Sequence, residues 1–532
     1  MPFPHRLALS RLPVLCLAVL MAASPVPGQE TQAPSASDMT APDMAAIEQA
    51  WKRGDYVTVR EGLERLARED ATPLAQYRYG RVLYEGRGGP RDIAGAIDWL
   101  GRAVEQDHLE AATLLARILL TGTSLGIERD PVRAGQLLAA AAARGDREAQ
   151  YYMGLLTSAG DGVAKDEAAA VNWFLAAAEK EHVEAQYELS RAYSKGAGVA
   201  ANPEKTLLWL TRAAENGHAE AQFYLANAHD TGQGAARSAG EALRWYRRAA
   251  EQGHILAQRM LGTKYMQGEE VTQDIGEALR WLEPAAQAGE PGAMTNLGYI
   301  YATGAGGVPV DDARALAWYE RAADAGIGRA MLVLGRFHET GRGTPQDMGR
   351  AMGFYRQALA AGEAQAAGQL ARLQLDGKLD GLAAPHEAVT WMAQALRGGD
   401  SRAETWLVAQ AEEGVRPART ALALAWLERG DRTEEAAAWL ERAAQDGDAR
   451  AQAELGKLHV TGTGVPLDYE AAHAWLNLAA AAGLGAAAEQ RDTVAKLMTP
   501  EQIAAAQARA RTLFEAVEAR APATQQTVRD EN

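Results

Sequence analysis

The same residues return along this chain eleven times, almost always 36 apart, and that recurrence limits the fold more than any other feature. The register is plainest in AEAQFYLANAHDTGQGAARSAGEALRWYRRAAEQGH, from Ala219 to His254. On this ruler the third position is alanine in all eleven repeats, from Ala75 and Ala111 to Ala403 and Ala451. The fourteenth is glycine in all eleven, from Gly86 and Gly122 to Gly414 and Gly462. Position 27 is tryptophan in nine, with Leu137 and Phe354 in the other two. A fixed period of this length marks a solenoid, in which length counts repeats and no single large core is needed.

Each repeat predicts two helices. Positions 3, 7 and 11 share one face of helix A at i, i+4, i+8 spacing. Position 8 is Gly, Ala or Ser in ten of eleven repeats, which lets a neighbouring helix approach closely. The position 14 glycine supplies a left-handed cap, often followed by a second glycine as in Gly160-Asp161-Gly162. Helix B begins near position 21 and carries Ala242, Trp245 and Ala249-Ala250 in the reference repeat. The expected core is tryptophan knobs seated in Ala and Gly holes.

The pattern A-x-x-x-L-G/A, then Gly-x-Gly, then A-x-x-W-x-x-x-A-A-x-x-G resembles the Sel1-like repeat family, relatives of the tetratricopeptide repeats. The resemblance runs from Pro73 to Leu484 and implies an all-α fold. That fold is a right-handed α-α superhelix of about eleven helix-turn-helix repeats with helical caps, binding partners on its inner face. The expected organisation begins with a secretory leader over 1–28, a flexible linker over 29–42 and capping helices over 43–72. Nine repeats follow over 73–400, then an irregular extended repeat over 401–448 and a last repeat over 449–484. Capping helices over 485–520, opened by Thr499-Pro500-Glu501-Gln502, and a disordered tail over 521–532 complete it. In the irregular repeat, 12 residues longer than the standard, Ala418 to Arg429 is expected to be an extra helix.

His5, Arg6 and Arg11 precede an apolar run from Leu12 to Ala23 and a small-residue stretch ending at Gly28, the form of a signal peptide. The expected location is therefore periplasmic or secreted. No later stretch approaches the ~20 apolar residues of a membrane span. The only cysteine, Cys16, lies in the apolar run, so a cleaved chain has no thiol and depends on packing for stability. Loss of Arg6 and Arg11 leaves 52 basic against 69 acidic residues, a charge of −17, which argues against a nucleic-acid partner.

No P-loop, Gly-x-Ser-x-Gly elbow, Ser-x-x-Lys or His-Glu-x-x-His occurs, and Thr390 stands where His386-Glu387 would need its second histidine. No enzyme, cofactor or metal is expected. The alternative is a cell-wall-directed enzyme of the penicillin-binding or β-lactamase-like type, on family resemblance alone. His108, His182, His218 and His254 recur at position 36 and read as surface turn residues, with a pH-sensing ridge as the other reading. Position 9 is basic in six of eleven repeats (Arg81, Arg117, Arg191, Arg336, Arg372, Lys457) and never acidic. Position 5, one turn earlier, adds Tyr77, Tyr151, Tyr187 and Phe223. In the tetratricopeptide relatives these two positions line the peptide groove. The expected function is a scaffold that takes a protein, an extended peptide or an acidic envelope polysaccharide there. The alternative is that the cations pair with Glu110, Glu148, Glu184 and Glu220 at position 2.

Overall fold

The computed structural model describes residues 41–520 and consists, among them, of α-helices and short 3₁₀ turns with no strand. The expected leader (1–28), nearly all of the linker (29–42) and the tail (521–532) lie outside the described residues. The chain divides into two compact units, one up to Pro284 and one from Ala285 onward. Within each, successive helices pack on one another as hairpins, an all-α solenoid. No helix among the described residues is long and apolar enough to cross a membrane.

Local chemistry sets the helix ends. Position 20 supplies the cap of helix B, as where Asp92 accepts from the Gly95 amide (2.8 Å) and Asp166 from Ala169 (2.9 Å). The position 14 glycine is left-handed at the end of helix A in eight repeats, Gly196 at φ 71° among them. At the far end, Thr499 and Gln502 cap each other reciprocally, the Gln502 amide donating to the hydroxyl and the Thr499 amide to the Gln502 side chain. This opens the helix Pro500–Arg520.

All eleven position 3 alanines are completely buried. The hairpin closes on position 8, where a Cβ at Gly154 would stand 2.5 Å from the Phe174 ring and one at Gly262 2.6 Å from Leu282. The knob is thus position 28, the residue after the tryptophan, and the expected seating of tryptophan in the small-residue hole is corrected. Successive residues of a helix point about 100° apart, so only one of the pair can face helix A of its own repeat. Position 28 does so, and Leu100, Tyr246, Leu282 and Tyr355 are among the largest fully buried side chains. Tryptophan instead wedges against the preceding repeat: Trp281 belongs to the core of Trp245, Ala249 and Leu261. Arginine covers its outer face, Arg248 lying 4.8 Å from the Trp245 ring and Arg212 4.7 Å from Trp209.

Two further contacts join many of the repeats to the one before. The second turn glycine lies against the start of the previous helix B, where a Cβ on Gly162 or Gly198 would fall 2.2 Å from the carbonyl oxygen of Pro131 or Glu167. Position 4 is a buried glutamine in six repeats, and in five of them its amide donates to a carbonyl near the end of that same helix. Gln186 reaches Ala178 (3.2 Å), Gln222 Ala214 (3.0 Å), Gln258 Ala250 (3.2 Å) and Gln452 Ala444 (3.0 Å). Each bond adds a second donor to a carbonyl in the last turn of that helix, which also accepts a backbone amide.

Two places break the pattern. Residues 401–448 form three helices, Ser401–Glu412, Arg416–Arg429 and Thr433–Gln445. The hairpin partner of the last is Arg416–Arg429, whose Ala418, Leu422 and Ala423 are fully buried and which ends on left-handed Gly430. The register that placed position 3 at Ala403 and position 14 at Gly414 is therefore corrected: Ser401–Glu412 is the added helix. Its Glu404 accepts from the Trp426 indole (3.1 Å) and pairs with Arg432 (3.0 Å). In repeat 6, core position 10 holds Lys264, 6% exposed, bound to Asp230 (2.7 Å) and Glu270 (3.1 Å). Burial works against its charge, but the two carboxylates prevail and hold the ammonium above its ordinary value. Glu270 takes φ 62° where other repeats carry the second turn glycine.

Gly262→Ala should cost about 1–3 kcal/mol, because the new methyl meets Leu282 and the Ala278 carbonyl. Gly101→Ala, a helical site with open space around its Cβ, should be neutral or stabilising by up to about 1 kcal/mol. Urea unfolding of the two variants distinguishes them, and equal losses would refute the close contact at position 8.

Candidate interaction face

Helix A of each repeat offers positions 2, 5 and 9 on one stretch of surface, and position 36 of the preceding repeat sits at its start. These four positions make a contact set that repeats along the unit ending at Pro284.

The histidines are the centre of it, and the expectation of surface turn residues is corrected. Each is the N-cap of the next helix A. Nδ1 of His108, His218 and His254 accepts the amides of Ala111, Ala221 and Ala257, each at 3.2 Å, and that of His182 accepts Ala185 at 3.4 Å. Each ring lies flat on the position 5 aromatic of its own repeat, one repeat before the helix it caps. The centroids are 4.7 Å apart for Tyr77 and His108, 4.5 Å for Tyr151 and His182, 4.3 Å for Tyr187 and His218, and 4.7 Å for Phe223 and His254. His182 is only 5% exposed. At two threonines of position 5 the cap is instead aspartate: Thr113 donates to Asp146 (3.2 Å) and Thr420 to Asp448 (2.9 Å). The pairing was open to sequence reading as a match between position 5 and the next position 36. Histidine, however, is not among the residues usually sought as caps.

The position 2 glutamates serve these histidines. Glu148 meets Nε2 of His182 at 3.3 Å, Glu220 meets Nε2 of His254 at 3.0 Å, and Glu110 meets Nδ1 of His108 at 3.3 Å. The hydrogen bond from His254 holds the Glu220 carboxyl below its ordinary range. Burial opposes the same shift at Glu148, but His182 and Arg117 outweigh it. Burial holds the His108 and His218 imidazoles below their ordinary value, against the pull of Glu110 and of Glu184 and Glu220 respectively.

The position 9 cations have other partners. Arg81 binds Glu85 (2.7 Å), Arg191 binds Glu188 (2.7 Å) and Lys457 binds Glu454 (2.8 Å), each within its own helix. Arg117 reaches a position 2 glutamate, Glu148, at 3.4 Å. Arg372 pairs with Glu339 and, at 3.4 Å, with Asp376. Arg336 is exposed and forms no ion pair among the described residues. Tyr77, Tyr151 and Tyr187 are half-buried and Phe223 is buried, all with one ring face on histidine. Burial raises the Tyr77 and Tyr187 phenols. The surface left open is therefore tyrosine edges beside half-exposed cations paired with half-buried carboxylates. Among the described residues no group of three His, Cys, Asp or Glu side chains converges as a metal site.

The Sel1 repeat family model matches eleven segments: 73–108, 109–146, 147–182, 183–218, 219–254, 255–290, 291–327, 328–363, 364–400, 417–448 and 449–484. It starts the tenth at 417 and omits the added helix. Among solved structures, a protective antigen of uropathogenic Escherichia coli with an SLR fold is similar at 27% identity and a TM-score of 0.59. That likeness covers 88% of this chain and 97% of the antigen. A Sel1 repeat protein from Oxalobacter formigenes is 29% identical over 46% of this chain and 99% of its own, with a TM-score of 0.43. No curated protein matches significantly.

His218→Ala should destabilise the unit ending at Pro284 by about 1–2 kcal/mol, through loss of a cap and an aromatic stack. Arg191→Gln should change stability by no more than about 0.5 kcal/mol, since its pair is intrahelical and exposed. Chemical denaturation at pH 7 measures both, and a larger loss for the arginine would make the cation the structural member.

Proposed function

The chain belongs to the Sel1 repeat family, and from that premise we propose that it is an exported, non-catalytic scaffold. On this reading it holds an acidic, extended partner along positions 5 and 9 of helix A. Sel1 repeats serve protein–protein interaction, and the finer reading rests on one observation. Position 9 is basic in six of eleven repeats and acidic in none, on a chain whose formal charge is −15.

The intrahelical pairs of Arg81 and Arg191 are exposed, and such pairs contribute only about 0.3–0.5 kcal/mol. A ligand carboxylate making a charge-assisted bond of roughly 1.5–3 kcal/mol can displace them. Tyr77, Tyr151 and Tyr187 add edges along which an extended peptide or a uronate sugar can lie. Periplasmic location is part of the proposal and rests on the leader-like sequence from His5 to Gly28.

Replacing Arg81, Arg117 and Arg191 together with glutamine should weaken binding of a labelled oligoglutamate or oligouronate probe by at least about tenfold, with helical content unchanged. Raising the salt should imitate the substitution, because such contacts are screened over ~8 Å at physiological ionic strength. A triple variant that binds normally but melts earlier would make these arginines structural and overturn the proposal.

A further inference from the structure

We propose that His182, His218 and His254 form a proton-operated row. Neutral, they cap the helices Val183–Lys195, Ala219–Thr231 and Ile255–Gln267; protonated, they release the backbone and pair with the position 2 glutamates beside them, on both sides of His182 and His218 and on one side of His254. The inference stands independently of the ligand assigned to positions 5 and 9.

A ring nitrogen that accepts a backbone amide carries no proton. In the neutral ring the hydrogen must therefore sit on Nε2, which faces Glu148 in His182 and Glu220 in His254. A second proton on Nδ1 removes the acceptor, orphans the amide of Ala185, Ala221 or Ala257, and sets a positive charge at a helix N-terminus. The charged ring nevertheless finds partners in place. Nδ1 of His182 lies 3.2 Å from Glu184, while its Nε2 lies 3.3 Å from Glu148. One ring thus has two alternative sets of bonds, a cap on the next helix A or a bridge between the glutamates of two repeats.

The surrounding groups are few. His182 faces Glu148 and the Tyr151 ring from its own repeat and Glu184 from the next, with Arg117 and Arg147 behind Glu148. His218 faces Glu184 and Tyr187 from its own repeat, Glu220 from the next, and His254. His254 faces Glu220, Phe223 and His218. From the helix B beneath each ring, the carbonyls of Ala177, Ala213 and Ala249 accept the histidines' own amides at 3.1, 2.9 and 3.0 Å. Burial depresses His218, so its capping state is complete above the ordinary imidazole value near 6.5 and is lost as the pH falls below it.

Amide hydrogen exchange on the full chain tests this. Between pH 7 and 5, the protection of the Ala185, Ala221 and Ala257 amides should fall about fivefold to tenfold relative to Ala169. The Ala169 amide is capped by Asp166, a carboxylate in place of an imidazole. A variant carrying His182→Asn, His218→Asn and His254→Asn keeps a side-chain cap that does not titrate and should lose the difference. If that variant does not fold, the comparison of histidine- and aspartate-capped amides in the unaltered protein decides alone. Equal behaviour of the two classes, or imidazole nitrogen shifts showing the proton on Nδ1 at pH 7, would overturn the proposal.

Discussion

The close approach of helix A to helix B at position 8 governs the rest of the structure. With no Cβ at Gly154, Gly262, Gly335 or Gly456, the position 28 side chain sits directly on the helix A backbone, and the hairpin becomes rigid enough to stack. A methyl group there would need Phe174, Leu282, Tyr355 or Leu476 to retreat, and a dense interior leaves little room for that. The direction of the tryptophans follows from this contact. Once position 28 faces its own helix A, position 27 can only turn toward the repeat before it.

Stacking is then completed by polar atoms. A buried glutamine closes the carbonyl end of the previous helix, and the second turn glycine rests against the start of that helix. The histidine or aspartate at the end of a repeat contacts position 5 of that repeat and caps helix A of the next. These bonds are directional, so they set the register between repeats, whereas the alanine faces supply area. Lys264 departs from this arrangement: a core position is given to a cation, and the two carboxylates that compensate it come from repeats 5 and 6.

Much of this was legible in the sequence, and what was not has identifiable causes. Alanine at position 3, glycine at position 14 and the Thr499-to-Gln502 start act through the local backbone, and local chemistry survives translation into one dimension. The roles of Trp245 and Tyr246 do not, because adjacent apolar residues share one periodicity and only the packed partner separates them. The added helix misled the register because Ala403 and Gly414 satisfy the same marks as Ala418 and Gly430. Carboxylate partners were illegible in principle. Arg81, Arg191 and Lys457 have glutamates within reach on the same helix as well as on neighbouring ones, and spacing does not rank them.

The knob and its hole lie in the same repeat, Leu282 and Gly262 for example, while many of the joints between repeats are made by the same few positions reaching one step back. A repeat is therefore complete in itself and interchangeable at both ends. In-frame duplication or loss of about 36 codons leaves the partners of each surviving joint in place, so a lineage can lengthen or shorten this protein by unequal recombination without passing through an unfolded intermediate.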